Sequence, residues 1–130
     1  MNDILNTLLE KAKTASQNAY APYSKFKVGA AVRTSSGAIY TGCNVENSSY
    51  SMTLCAERNA IFHAISQGER IITEIAIYVD NDELFPPCGA CRQVMAEFAS
   101  DLPIVYASRK EVQETRLSEL LPQSFLLKHD

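Results

Sequence analysis

The chain contains no apolar run approaching the roughly 18 residues of a membrane-spanning helix, so no membrane partner is expected. It has no basic surplus. Twelve Lys and Arg against fifteen Asp and Glu leave a formal charge of -3, whereas domains that live on nucleic acid carry a basic footprint. No nucleic-acid partner is expected either. There is no internal repeat, low-complexity tract, linker, Gly-rich loop or basic cluster, which predicts one domain over residues 1–130. Met1-Asn2-Asp3-Ile4 is not a basic region leading into a long apolar stretch, so no secretory signal is read and a cytoplasmic location is expected.

What is present is globular in character. The chain has 130 residues, 46% apolar and 21% charged, which argues against disorder. At that length roughly two-thirds of the unfolded surface can be buried on folding. Four cysteines stand out. Two disulfides would suit a secreted chain, but three of the four sit at or beside predicted helix starts and two are only three apart. In a reducing compartment such grouped thiols are more often metal ligands or catalytic groups.

Hydrophobic spacing predicts a helix from residue 3 to about 19, on Ile4, Leu5, Leu8, Leu9, Ala12, Ala15 and Ala19, with Asn2 or Asp3 as cap. Residues 26–33 and 38–43 read as a hairpin around Ser35-Ser36-Gly37, and 44–53 as a loop. A second helix is predicted over about 55–66, a strand over 71–79, a third helix over about 88–99 after Phe85-Pro86-Pro87, a short buried strand over 103–107 and a helical turn at 117–121. The order αββαβαβ combines an antiparallel hairpin with β-α-β crossovers, so a mixed sheet flanked by helices is expected.

Two segments carry chemistry, Cys55-Ala56-Glu57 and Pro87-Cys88-Gly89-Ala90-Cys91, each opening a predicted helix. Cys88 and Cys91 at i and i+3 share a helix face. The exposed amides and dipole of a first turn favour thiolate. A lone C-x-x-C is shared by structural zinc and redox sites. Three thiolates with an open fourth position describe a catalytic zinc site. Glu57, two residues beyond Cys55, points away from it and suits a carboxylate near the metal that does not ligate it. Three thiolates against one dication leave the site at -1, which opposes deprotonation of a bound water. Arg58 and Arg92, which follow the two motifs, are read as one or both donating to the thiolates. Burial beside this anionic cluster should raise the Glu57 pKa. Cys43, at the end of a predicted strand, is read as core packing. His63 is read as a satisfied structural histidine near the inner helix face.

C-A-E about thirty residues before P-C-x-x-C is a form of the zinc deaminase signature. Further runs, Tyr20-Ala21-Pro22-Tyr23-Ser24-Lys25-Phe26, Val28-Gly29-Ala30-Ala31, Gly42-Cys43-Asn44-Val45-Glu46-Asn47, Cys55-Ala56-Glu57-Arg58, Pro87-Cys88-Gly89-Ala90-Cys91-Arg92-Gln93 and Glu119-Leu120-Leu121-Pro122, make nearly the whole chain resemble the small cytidine deaminases of homotetrameric type. The resemblance implies a three-layer α-β-α cytidine deaminase-like fold. It also implies hydrolytic deamination of cytidine and deoxycytidine to uridine and deoxyuridine, with release of ammonia, in pyrimidine salvage. It implies one zinc per chain on Cys55, Cys88 and Cys91, making hydroxide from water for attack at C4, with Glu57 as the proton shuttle. Phe26, Asn44, Glu46, Tyr50, Ala56 and Phe125 would contact the nucleoside, and a homotetramer would share active sites. Family members carry Gly-x-Phe after the final Leu-Pro, where this chain has Gln123-Ser124-Phe125.

Three rival readings are testable against structure. A blasticidin S-type deaminase has similar length and also three cysteines, but the Asn44 and Glu46 pair and the Phe26 region favour a nucleoside enzyme. A polynucleotide deaminase mostly has His as first ligand and suits an acidic chain poorly. A zinc-stabilised binding module without catalysis needs a fourth protein ligand, for which only Cys43 or His63 is available.

Overall fold

Helix α1, Asp3–Ser16, starts where Asn2 Oδ1 accepts from Leu5 N–H at 2.9 Å, an N-cap that satisfies one free helix-start amide. Its buried stripe is Leu5, Leu8 and Ala12, the spacing that puts side chains on one helix face. It stops short of the predicted residue 19. Tyr20 is drawn out of helical geometry by main-chain pairing: its N–H donates to Asn44 O at 3.0 Å and its carbonyl accepts from Glu46 N–H at 2.8 Å. The coordinates are a computed structural model that describes residues 1–127 and 129.

The sheet has five strands: β1 Val28–Thr34, β2 Ile39–Cys43, β3 Ile72–Val79, β4 Pro103–Ala107 and β5 Val112–Arg116. Their order across the sheet is β2-β1-β3-β4-β5. β1 pairs antiparallel with both β2 and β3, β3 pairs parallel with β4, and β4 antiparallel with β5. The expected mixed sheet is therefore present, and its parallel pair is the one joined by a helical crossover. β5 is an addition to the expected elements. Val-Gln-Glu-Thr-Arg lies mostly exposed at the sheet edge, so it carries none of the apolar alternation that marks a half-buried strand, and its charges suit an edge. The 44–53 loop also holds a 3-10 turn at Tyr50–Met52.

Two helices, α2 Ala56–Ser66 and α3 Gly89–Phe98, cover one face of the sheet; α1 covers the other. A short α4, Leu117–Leu120, packs beside α3. β3 is buried on both faces, which explains its nearly unbroken apolar run. Ile75 and Ile77 face α2 and α3, whereas Ala76 and Tyr78 face α1. The hairpin approaches both helix layers closely through two glycines. A Cβ on Gly29 would lie 1.9 Å from Ala12 O, and one on Gly42 would lie 2.4 Å from Ala60 N. Only glycine permits either backbone contact.

α2 also shields the β2 edge. Asn59 Nδ2 donates to Cys43 O at 2.7 Å, and His63 Nδ1 lies 3.2 Å from Thr41 O. His63 corrects the sequence reading in one respect: it is exposed rather than near the inner face, with its ring edge-on to Tyr40. No helix among the described residues is long and apolar enough to cross a membrane.

Candidate active site

The starts of α2 and α3 meet on the same face of the sheet. Cys55 is the residue preceding α2 and Cys88 the residue preceding α3, both extended, so each helix begins on a thiol. Cys91, one turn into α3, is fully buried. The Cys88 and Cys91 sulfurs are 3.3 Å apart and those of Cys55 and Cys88 4.0 Å. All three lie within 4.8 Å of one another. Tetrahedral zinc with Zn–S near 2.3 Å needs sulfurs about 3.8 Å apart, so the donor set and its spacing fit that ion. Among the described residues no fourth Cys, His, Asp or Glu joins the group. The site therefore leaves a coordination position for something other than protein, which counts against the binding-module reading. Cys43 sits on the opposite, α1-facing side of β2, paired with Gly29, and His63 is held at Thr41 O.

The electrostatics favour anionic sulfur. The Cys55 thiol is held down to about 5, first by its hydrogen bond with Cys91 and then by the Arg58 guanidinium, whose Nη2 donates to Sγ at 3.5 Å. The same hydrogen bond and burial push the Cys91 thiol up. The pair thus holds a proton that a dication would displace, since metal-binding thiols must ionise. Glu57 is 6% exposed. Burial pushes its carboxyl up, and the negative charge of Cys55 adds to that.

A cavity of about 250 Å³ opens beside the thiols. Cys55, Ala56, Glu57 and Cys88 form one wall. Ile77 and Val79, near the C-terminal end of β3, form the floor, the crevice position where ligands of open α/β sheets bind. Phe26 and Asn44 line the far side. A larger open groove of about 610 Å³ runs between α1 and β2 past Cys43; among the described residues it holds no metal-ligating cluster.

Residues 3–107 match the family described as cytidine and deoxycytidylate deaminase zinc-binding region. The chain belongs to this deaminase family. It is 48% identical over 120 residues to a cytidine deaminase of Sporosarcina psychrophila, covering 91% of this chain and 88% of the relative. It is 47% identical over 120 residues to one from Halalkalibacterium halodurans, covering 91% of each. Its fold superposes on a crystal structure of cytidine deaminase from Burkholderia pseudomallei with TM-score 0.88 at 44% identity, covering 96% of this chain and all of that one. A crystal structure of the Mycobacterium tuberculosis cytidine deaminase gives 0.84 at 40% identity, covering 98% and 100%. The metal of this deaminase family is zinc, and Cys55, Cys88 and Cys91 are the residues that could hold it.

The predicted site residues divide into two groups. Cys55, Cys88, Cys91, Glu57, Ala56, Phe26 and Asn44 are brought to one place. Asn44 is buried, with Oδ1 accepting from Val28 N–H at 2.9 Å and Nδ2 donating to Phe26 O at 2.7 Å. Glu46 lies outside the cavity lining; its carboxylate accepts from the Tyr23 and Ser24 amides and from Ser24 Oγ. Tyr50 and Phe125 are 61% and 69% exposed and do not line this cavity. Arg58 donates to the Cys55 sulfur. Arg92 does not: its Nε donates to Pro87 O at 2.7 Å and its Nη1 to Leu120 O at 2.9 Å. Its place one residue after Cys91 turns it toward the incoming loop and α4, so it braces main chain instead of neutralising sulfur. Sequence reasoning missed Phe85, which lines the cavity and meets Phe26 edge-on. Its signal was an aromatic just ahead of the Pro-Pro-Cys run.

Proposed function

We propose that this chain hydrolyses the C4 amine of cytidine and deoxycytidine, giving the uridine product and ammonia. The observation that carries the reading is Glu57: a buried carboxyl, pushed upward, on the wall of a cavity that also exposes two thiols of the metal site. Zinc, when bound, makes hydroxide available from water at neutral pH. Glu57 takes the proton that water gives up and passes it to ring N3. As the water oxygen bonds to C4, its second proton remains on the new hydroxyl. Glu57 takes that proton in turn and delivers it to the amine as the C4–N bond breaks, so that water and nucleoside become product and ammonia with no further reagent. Burial raises this carboxyl above its ordinary value, which favours its taking up a proton and handing it on. The Ala56 N–H, one of the helix-start amides without an intrahelical partner, offers a donor to the ring carbonyl. Phe26 packs on the pyrimidine.

Asn44 still has one N–H and one lone pair beyond its two main-chain bonds, and these serve a sugar hydroxyl. Glu46 holds the Tyr23–Ser24 segment at this end, and a remaining lone pair on its carboxylate is a second hydroxyl acceptor. Nucleotide phosphates meet the same negative charge with no basic cluster nearby, so free nucleosides are the substrates, in nucleoside salvage in the cytoplasm. Tyr50 and Phe125 are exposed apolar groups away from their own cavity, and in a homotetramer they complete a neighbouring subunit's site. The acting unit is one domain over residues 1–130, of which Lys128 and Asp130 lie outside the described residues.

The test is loss of absorbance at the cytosine band with cytidine, deoxycytidine, cytosine, cytidine monophosphate and blasticidin S, with zinc content measured on the same preparation. The nucleosides should turn over and the others react poorly. Glu57→Gln should keep its zinc and lose at least the 10²–10⁴-fold that general acid–base catalysis contributes. A Glu57→Gln enzyme within tenfold of wild type, or blasticidin S preferred over cytidine, would overturn the assignment.

A further inference from the structure

Phe85 stands three residues ahead of Cys88, on the loop that Arg92 braces at Pro87 O. Its ring centroid is 5.4 Å from that of Phe26, with the planes at 69°, an edge-to-face arrangement. Both rings line the cavity, yet Phe26 is 39% and Phe85 41% exposed. Neither is therefore a core residue held by close packing on all sides. Phe26 follows Lys25, which sits at φ 67°, on a stretch without regular secondary structure. In this structure the ring of Phe26 takes its aromatic contact from Phe85 alone among the described residues. Edge-to-face pairs contribute about 0.5–1.5 kcal/mol beyond area burial, enough to favour one orientation of a half-exposed ring. A ring held in one orientation presents a set surface to a planar heterocycle, and the ordering entropy is then not lost at each binding event.

We infer that Phe85 is a positioning residue for the substrate: it fixes Phe26 at the cavity mouth and so links the loop entering the second metal-ligand motif to pyrimidine binding. This rests on the functional reading above, in which Phe26 packs on the pyrimidine. Phe85 takes no part in proton transfer and holds no metal, so its loss should appear in KM and leave kcat and zinc content near wild type. Because it acts through Phe26, the two residues should not contribute independently.

The experiment measures kcat and KM for cytidine, with zinc content, in wild type, Phe85→Ala, Phe85→Leu, Phe85→Tyr, Phe26→Ala and the Phe26→Ala/Phe85→Ala double variant. Phe85→Ala should raise KM roughly two- to tenfold with kcat within twofold, the change corresponding to an aromatic pair of this kind. Phe85→Leu, which keeps apolar bulk without an aromatic edge, should lose most of the same affinity, and Phe85→Tyr should recover it. The double variant should have a KM close to that of Phe26→Ala alone. An unchanged KM in Phe85→Ala, full recovery by Phe85→Leu, or multiplying KM effects in the double variant would overturn the inference while leaving the deaminase reading intact. A fall in kcat with loss of zinc would assign Phe85 to the metal loop and overturn it as well. Wild type that neither binds nor deaminates cytidine would remove both readings together.

Discussion

The two sides of one sheet differ in kind. The α1 side is held by Leu5, Leu8, Ala12, Ala31, Ala76 and Val105, and its cysteine, Cys43, is a half-buried thiol that burial pushes up. On the other side two helix starts abut. There the thiol of Cys55 is pulled down to about 5 while Glu57 is pushed up. The chain distributes the same residue types to both sides, so residue type alone does not set reactivity. What separates Cys43 from Cys55 is local: Cys55 has two further thiols and an arginine within reach, and Cys43 ends a strand. Reactive groups sit where helix N-termini converge, since that is where main-chain donors are left over.

The largest expected effect breaks this contrast at its centre. Cys88→Ala removes one of three sulfurs and should strip most of the zinc and abolish turnover, because two thiolates are a poor tetrahedral set. Cys43→Ala, on the far side, should retain about one zinc per chain and near-wild-type activity. Metal analysis of both proteins decides it. Loss of zinc from Cys43→Ala would mean that the two sides are not chemically separate.

The two glycines sharpen the comparison at the level of packing. Gly29→Ala drives a Cβ into Ala12 O of α1, and Gly42→Ala drives one into the Asn59–Ala60 main chain of α2. Overpacking of this sort costs about 1–3 kcal/mol, so both variants should melt several degrees lower. Their activity per folded molecule should diverge. A displaced α2 carries Cys55 and Glu57 at its start, so Gly42→Ala should lose zinc affinity and turnover by tenfold or more. Gly29→Ala should stay within about twofold of wild type. Melting curves paired with kcat on the folded fraction test this, and equal losses of kcat would show that α1 also governs the site.

The same contrast explains what was readable from sequence. The α2 and α3 starts were legible because thiols at i and i+3, and a Cys-Ala-Glu triplet, are rare patterns with a specific chemical use. The sheet core was legible from the apolar run of β3. β5 was not, because Gln113, Glu114 and Arg116 at an edge need no apolar alternation. The end of α1 was misplaced because Tyr20 pairs with Asn44 and Glu46, a contact between distant segments that no local propensity reports. Arg58 and Arg92 occupy equivalent places after their motifs, and only the tertiary position of Leu120 and Pro87 tells them apart. Phe85 escaped notice because its value lies in one contact with Phe26, which is far away in sequence.

The smallest effect concerns the loop that carries Phe26. Glu46 is buried, and its carboxylate accepts from two main-chain amides and Ser24 Oγ. The Ser24 hydroxyl bond leads the causes that hold its pKa below the ordinary carboxylate value, with the Ser24 and Tyr23 amides adding to it against a desolvation that opposes. A carboxylate whose folded pKa lies below its unfolded value near 4.3 stabilises the fold above that unfolded value. The contribution then fades as pH falls through the folded pKa, because protons bind the unfolded chain more readily. Glu46→Gln should therefore melt lower than wild type at pH 7, by a small margin since the amide oxygen still accepts one or two of the same bonds. The two melting curves should draw together as pH drops below about 4, where the wild-type carboxyl is protonated in the unfolded chain and then in the folded one. Thermal melts at closely spaced pH values from 3 to 7 provide the measurement. A margin that is constant across the range would mean that the carboxylate charge plays no part in holding Tyr23 and Ser24. The loop would then be anchored by shape alone, as the α1 side of the sheet is.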